Sequence, residues 1–206
     1  MLRTLGGQLD ADAGLVAALR RRDPDGADQL VERHGERVYR LAARLTGEPD
    51  EAEEVAESAL LRASRTIDAF QGDASFSSWI DRLAAGAAYR KLLTRPATTP
   101  SGATGEIALD DVLPPLDADG RHFAPMRDWS ARIETREPGG LGKILTDAVD
   151  ALPADSRVAL VLHDVEGMTV ADIAEVLGVG PGAARTLVHR ARLLVRQRLS
   201  ERLVAA

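Results

Sequence analysis

The chain has 206 residues, of which 45% are hydrophobic and 3% aromatic; none is cysteine, and the formal net charge is −6. The absence of cysteine excludes disulfides and thiolate metal sites, and the acidic balance argues against a non-specific nucleic-acid coat, which would be strongly basic. No apolar run approaches the roughly 20 residues of a membrane span, and the N-terminus lacks the apolar core of a signal peptide, so we expect a cytoplasmic protein without membrane insertion.

Residues 10–96 are predicted to form a small helical domain. Apolar residues recur there at three- and four-residue steps, which places them on one face of each helix, and "TGEPD" and "FQGDASFSSW" interrupt the pattern. Phe76 and Trp79 are interpreted as core residues because they have helical spacing. The predicted buried stripes are Leu30, His34, Val38, Leu41 and Leu45 on one helix, and Ala52, Val55, Ala56, Ala59, Leu60 and Ala63 on the next.

Residues 97–140 are predicted to be a flexible linker, because turn-forming and acidic residues dominate "RPATTPSGATGE", "LPPLDADG" and "REPGG". Phe123, Met126 and Trp129 are unusual in a linker. We favour packing of these three side chains on a neighbouring domain, and docking of a partner is the alternative.

Residues 141–206 are predicted to form a second helical domain that contains a helix-turn-helix. Thr169 is a suitable N-cap, Gly178 can take a left-handed turn, and Pro181 fits the first position of the next helix. We expect Leu145, Val149 and Leu152 to share a buried helix face and Val179 to fill the seam. The second helix of the motif is expected to bury Ala184, Leu187 or Val188, Ala191 and Val195, and to expose Arg185, Thr186, His189, Arg190 and Arg192.

Such a basic face fits DNA, because Arg matches the guanine edge and Arg or His can neutralise phosphates. An αα-hairpin with a solvated basic face has the same pattern, so this segment alone leaves both interpretations open. The histidines at 34, 122, 163 and 189 are scattered, with neither metal-ligand spacing nor a nucleophile and base. We therefore do not expect an enzyme.

Two blocks of the chain resemble regions of bacterial RNA polymerase sigma factors of the extracytoplasmic-function group. "DEAEEVAESALLRA" followed by "FQGDASFSSWI" resembles sigma region 2, and "LPADSRVALVLHDVEGMT", "DIAEVLGV" and "HRAR" resemble region 4. The resemblance implies an all-α fold of two small helical domains joined by a flexible linker. It also implies a subunit that directs core RNA polymerase to promoters by recognising their minus-10 and minus-35 elements, without catalytic residues, cofactor or metal of its own. The implied partners are core RNA polymerase, promoter DNA and an anti-sigma factor.

The resemblance also assigns roles to single residues. It implies that the acidic helix docks on core polymerase through Asp50, Glu53, Glu54 and Glu57, although the charge run alone would be interpreted as a solvated face. The "FQGDAS" loop would capture an unstacked minus-10 base through Gln71, Asp73 and Ser75, while Arg82, Arg90 and Lys91 hold phosphates. In the minus-35 element, Arg185 and Thr186 would lie nearest the bases, with His189, Arg190 and Arg192 at phosphates.

The alternative is a helix-turn-helix regulator that binds DNA without directing initiation. The acidic helix and the "FQGDASFSSW" loop argue against it, since a simple regulator needs neither.

Overall fold

The computed structural model describes residues 11–95 and 140–204 of the chain. Helices and turns account for both ranges, and no strand occurs in either, which confirms the predicted all-α class. The chain divides into two compact units between Thr94 and Arg95. The expected linker lies outside the described residues, together with Phe123, Met126 and Trp129, so its boundaries at 97 and 140 stay predictions. Within the two described ranges, no helix has the length and apolar character to cross a membrane.

Over its described residues, 11–94, the first unit contains four α-helices: α1 (Ala13–Arg20), α2 (Gly26–Thr46), α3 (Pro49–Arg65) and α4 (Phe76–Thr94), with a short 3-10 turn (Ile67–Ala69) before α4. The predicted break at "TGEPD" is confirmed. Gly47 ends α2 with a φ of 75°, a left-handed conformation that glycine adopts without steric cost. Pro49 then opens α3, at a position where its missing N–H leaves no helical bond unmade.

The core of the first unit lies between α2, α3 and α4. Both predicted stripes are buried in full, and the short alanine side chains of α3 leave room for close approach of its neighbours. His34 is part of this core, where its Nε2 lies 3.1 Å from the carboxylate of Asp12. A buried carboxylate on α4, Asp81, is neutralised by an ion pair with Arg37 of α2. The buried His34 and Asp81 are thus each paired with a side chain from another segment of the unit.

An aromatic cluster of Phe70, Phe76 and Trp79 closes the core beneath the segment between the 3-10 turn and α4. Phe76 is fully buried, with ring centroids 5.3 Å from Phe70 and 5.6 Å from the imidazole of His34. Trp79 is partly exposed and stacks on Phe76 at 5.7 Å. Core packing is therefore confirmed for Phe76, and Trp79 covers the edge of the same cluster.

The second unit contains α5 (Gly140–Asp150), α6 (Ala154–Leu160), which continues through a π-helical turn (Val161–Val165), α7 (Val170–Leu177) and α8 (Pro181–Val204). The long helix α8 packs against α5, α6 and α7. Of the two alternatives predicted for α8, Val188 is buried and Leu187 is half-buried. The predicted burial of Ala184, Ala191 and Val195 is confirmed.

Two predictions for the second unit are wrong. Leu145 is 45% exposed, because the contact with α8 is made by Ala148 near the end of α5 and by Leu152 just after it, and Leu145 precedes that contact along the helix. Val179 is 37% exposed, because it lies within the turn rather than on either helix. The seam that Val179 was expected to fill is closed by side chains from the helices themselves: Ile173, Leu177 and Val188.

Candidate nucleic-acid interface

The helix-turn-helix consists of α7 and α8, and its local signals act as predicted. The Thr169 hydroxyl accepts a hydrogen bond from the backbone N–H of Asp172 at 3.2 Å and donates to the Asp172 carboxylate at 2.6 Å, which caps α7. Gly178 ends α7 with a φ of 68°, and Pro181 is the first residue of α8. α7 therefore begins at a capping threonine and ends at a left-handed glycine, and the turn to α8 runs from this glycine to Pro181.

The outer face of α8 carries basic side chains. Arg185 and His189 are exposed, each about 100° around the helix from the buried residue before it, Ala184 or Val188. At about 100° per residue, Arg185, His189 and Arg192 lie within roughly 60° of one another around the helix. Thr186 is exposed at the margin of this face and donates its hydroxyl to the Gly182 carbonyl at 3.1 Å. We name Arg185, His189 and Arg192 the basic face of α8.

Arg190 lies outside the basic face. It is half-buried, and its position around the helix is about 140° from that of Arg185. The five residues of α8 predicted to contact DNA thus comprise the three of the basic face, Thr186 at its margin, and Arg190 outside it.

Arg192 is engaged within the protein. Its Nε donates to Asp164 Oδ2 at 2.9 Å and its Nη2 to Asp164 Oδ1 at 2.5 Å, in a two-point contact with the π-helical turn. His163 Nδ1 lies 2.7 Å from the same carboxylate and 3.2 Å from Arg192 Nη2. The hydrogen bonds from Arg192 lower the pKa of Asp164 to about 2, so the carboxylate is charged at neutral pH. Asp164 lies 28 positions before Arg192, so no helical spacing in the sequence links the two.

In the first unit, residues 71–75 form the exposed segment predicted to read the minus-10 element. Gln71 and Asp73 are exposed, and Gly72 has a φ of 80° that turns the chain. The Ser75 hydroxyl accepts a hydrogen bond from the Ser78 backbone N–H at 3.1 Å, so this side chain caps α4. The N-terminal side of the segment is held by Arg20, which donates to the Phe70 carbonyl at 2.6 Å.

The three basic residues predicted to hold minus-10 phosphates do not share a face of α4. Arg82 and Lys91 are nine residues apart, which places them about 180° apart around the helix. Lys91 forms an ion pair with Glu54 of α3, whereas Arg90 is exposed and lies between these two directions. The resemblance assigns Lys91 to the minus-10 contact and Glu54 to the polymerase contact, and the structure brings the two side chains together.

The acidic residues of α3 form one continuous surface. Asp50, Glu53, Glu54 and Glu57 are all exposed and fall within about 100° around the helix, opposite the buried alanine stripe. Leu61 is 47% exposed and follows Glu57 by one turn on the same side. We name these five residues the acidic face of α3.

Comparisons with known proteins match both units. The family model described as Sigma-70 region 2 matches residues 30–96, and that described as Sigma-70, region 4 matches residues 142–195. The ECF RNA polymerase sigma factor SigE of Mycolicibacterium smegmatis is 31% identical over 174 residues, which cover 84% of this chain and 62% of that protein. The RNA polymerase sigma-H factor of Pseudomonas aeruginosa is 31% identical over 188 residues, which cover 89% of this chain and 91% of that protein.

Among solved structures, CnrH in complex with the cytosolic domain of CnrY is similar to this chain with a TM-score of 0.57 and 22% identity. The match covers 93% of this chain and 99% of CnrH, and it shows a common fold. The two family matches coincide with the two units and occur in the predicted order. The chain therefore belongs to the sigma-70 family of RNA polymerase sigma factors, in its extracytoplasmic-function group.

Proposed function

We propose that the chain directs core RNA polymerase to promoters, with the acidic face of α3 as the polymerase contact and α8 and residues 71–75 as the DNA contacts. The observation that carries this proposal is the pairing, in one chain of this family, of an acidic docking surface and a separate helix-turn-helix with a basic face. A simple DNA-binding regulator needs only the second. The chain acts in the cytoplasm and supplies no catalytic group, because nucleotide addition belongs to the polymerase.

The acidic face of α3 supports a protein partner. Four carboxylates precede the exposed Leu61 on the same side of α3, and such a surface suits a basic patch that has an apolar side chain at one end. Asp50, Glu53 and Glu57 are the proposed polymerase contacts, together with Glu54 once its bond to Lys91 opens.

Each DNA element is assigned its own side chains. At the minus-35 element, Arg185 and Thr186 contact base edges, and His189 and Arg190 contact phosphates. At the minus-10 element, Gln71 and Asp73 contact the unstacked base, and Ser75 caps the helix that supports them. Arg82 and Arg90, about 80° apart on α4, are the phosphate contacts, whereas Lys91 faces away from Arg82 and pairs with Glu54. Since the structurally similar sigma factor RpoE of Bartonella quintana is seen in complex with the anti-sigma factor NepR, we also propose that an anti-sigma factor binds this chain.

A genome-wide run-off assay tests the function. Core polymerase of the source bacterium plus this chain is expected to start transcripts at promoters that core polymerase alone ignores. The double variant Glu53→Lys/Glu57→Lys is expected to reduce these transcripts several-fold, because it reverses two charges on the acidic face.

The control is Glu32→Lys/Glu36→Lys, which makes the same charge change at the same four-residue spacing on exposed positions of α2. It is expected to retain the transcripts. No new start sites with the wild-type chain would refute initiation and leave a DNA-binding regulator. Equal loss in both double variants would refute docking through α3.

A further inference from the structure

The contact between Arg192 and Asp164 conflicts with a simple role for Arg192 in DNA binding. Arg192 lies on the basic face, two turns and about 10 Å beyond Arg185, where the proposed function places DNA. However, two of its N–H groups already donate to the two carboxylate oxygens of Asp164, at 2.9 and 2.5 Å. A guanidinium also binds phosphate or guanine through a pair of N–H groups. The two partners therefore compete for the Nε–Nη2 edge of Arg192 and for its positive charge.

We propose that Asp164 keeps Arg192 from contacting DNA. Arg192 is then a positioning residue that holds α8 against the π-helical turn. Asp164 in turn limits how strongly the chain binds DNA. This inference rests on the proposed function, since it assumes that the basic face of α8 meets DNA. It separates Arg192 from Arg185 and His189, with which the sequence pattern groups it.

The surroundings of Asp164 make it a suitable anchor. The π-helical turn that carries it leads directly into the helix-turn-helix, so a bond from this turn to α8 limits rotation of α8 about its own axis. His163 Nδ1 lies within hydrogen-bond distance of both members of the pair. The carboxylate is partly shielded, with 32% of its side chain exposed, against 51% for Arg192. Charge neutralisation by Asp164 also removes the attraction of Arg192 for phosphate.

The salt dependence of DNA binding distinguishes a positioning residue from a phosphate contact. Each neutralised phosphate steepens the fall of log K with log[salt] by about 0.9 on duplex DNA. We expect Asp164→Ala to steepen this slope by about 0.9 relative to wild type, because it releases Arg192 to the backbone. Arg192→Gln alone is expected to leave the slope unchanged, and Asp164→Ala/Arg192→Gln to return it to the wild-type value. The measurement is fluorescence anisotropy of the full chain on a labelled mixed-sequence duplex, over a series of KCl concentrations.

The matched control is Glu175→Ala, which removes one carboxylate from an exposed position of α7 in the same unit. It is expected to leave the slope at the wild-type value. If thermal unfolding followed by circular dichroism shows that Asp164→Ala is not folded, Asp164→Asn replaces it, because it keeps the side-chain shape and removes the charge.

A slope that is flatter by about 0.9 in Arg192→Gln alone would overturn the inference, because Arg192 would then already contact phosphate in the wild-type protein. Equal slopes or equally absent binding in wild type and Asp164→Ala would also overturn it. Neither result bears on initiation, which the run-off assay decides separately.

Discussion

Replacing Phe76 with alanine is expected to lower the free energy of unfolding of the first unit by about 3–5 kcal/mol. Phe76 is fully buried, and its ring contacts those of His34, Phe70 and Trp79. The substitution removes the ring and leaves a cavity among side chains that are held on three different elements, so the cavity cannot collapse easily. A typical domain is stable by about 5–15 kcal/mol, so the loss is a large part of the total.

Chemical denaturation of the full chain, followed by circular dichroism, measures this effect. The control is Leu93→Ala on the same helix, where the side chain is 60% exposed and the expected change is within about 0.5 kcal/mol. If Phe76→Ala were no more destabilising than Leu93→Ala, the aromatic cluster would not be a closely packed core. A large loss of unfolding free energy would indicate that the aromatic cluster is the packed base beneath residues 71–75.

The sequence predicts the helices and their buried faces well, because both depend on local spacing. The stripe from Leu30 to Leu45 and the alanine stripe of α3 follow from the helical period alone. The left-handed Gly47 and Gly178 were also predictable, because a turn of that conformation selects glycine. Leu145 was predicted wrongly because its exposure depends on where the contact with α8 begins, and Val179 because it lies in a turn and on no helix face.

The pairing of charges across elements was not predictable from spacing. Glu54 and Lys91 are 37 positions apart, and Asp164 and Arg192 are 28 apart, so no period along one helix relates them. The sequence identified charged residues on helix faces, and the resemblance to sigma factors assigned their roles. Only the packing of helices shows which of these charges already have partners inside the protein.

Replacing Arg185 with alanine is expected to have the largest effect on promoter recognition. Arg185 is exposed near the start of α8, on the face that we propose enters the major groove. A paired contact between Arg and a guanine contributes about 1–3 kcal/mol of discrimination, or roughly 5- to 150-fold. We therefore expect transcription from the native promoter to fall by this range and selectivity to be lost at one base pair of the minus-35 element.

The measurement is transcription by the holoenzyme from a promoter found by the run-off assay. It is repeated on every variant of that promoter that has one base pair of the minus-35 element substituted. The matched control is Arg196→Ala, which removes the same charge from the same side of α8, about 16 Å further along the helix. It is expected to preserve the pattern of base preference. If Arg185→Ala instead weakened binding to all sequences equally, and reduced the slope of log K against log[salt] by the equivalent of about one phosphate contact, Arg185 would contact a phosphate. The bases would then have to be read by other residues of α8, of which the exposed Thr186 is the nearest.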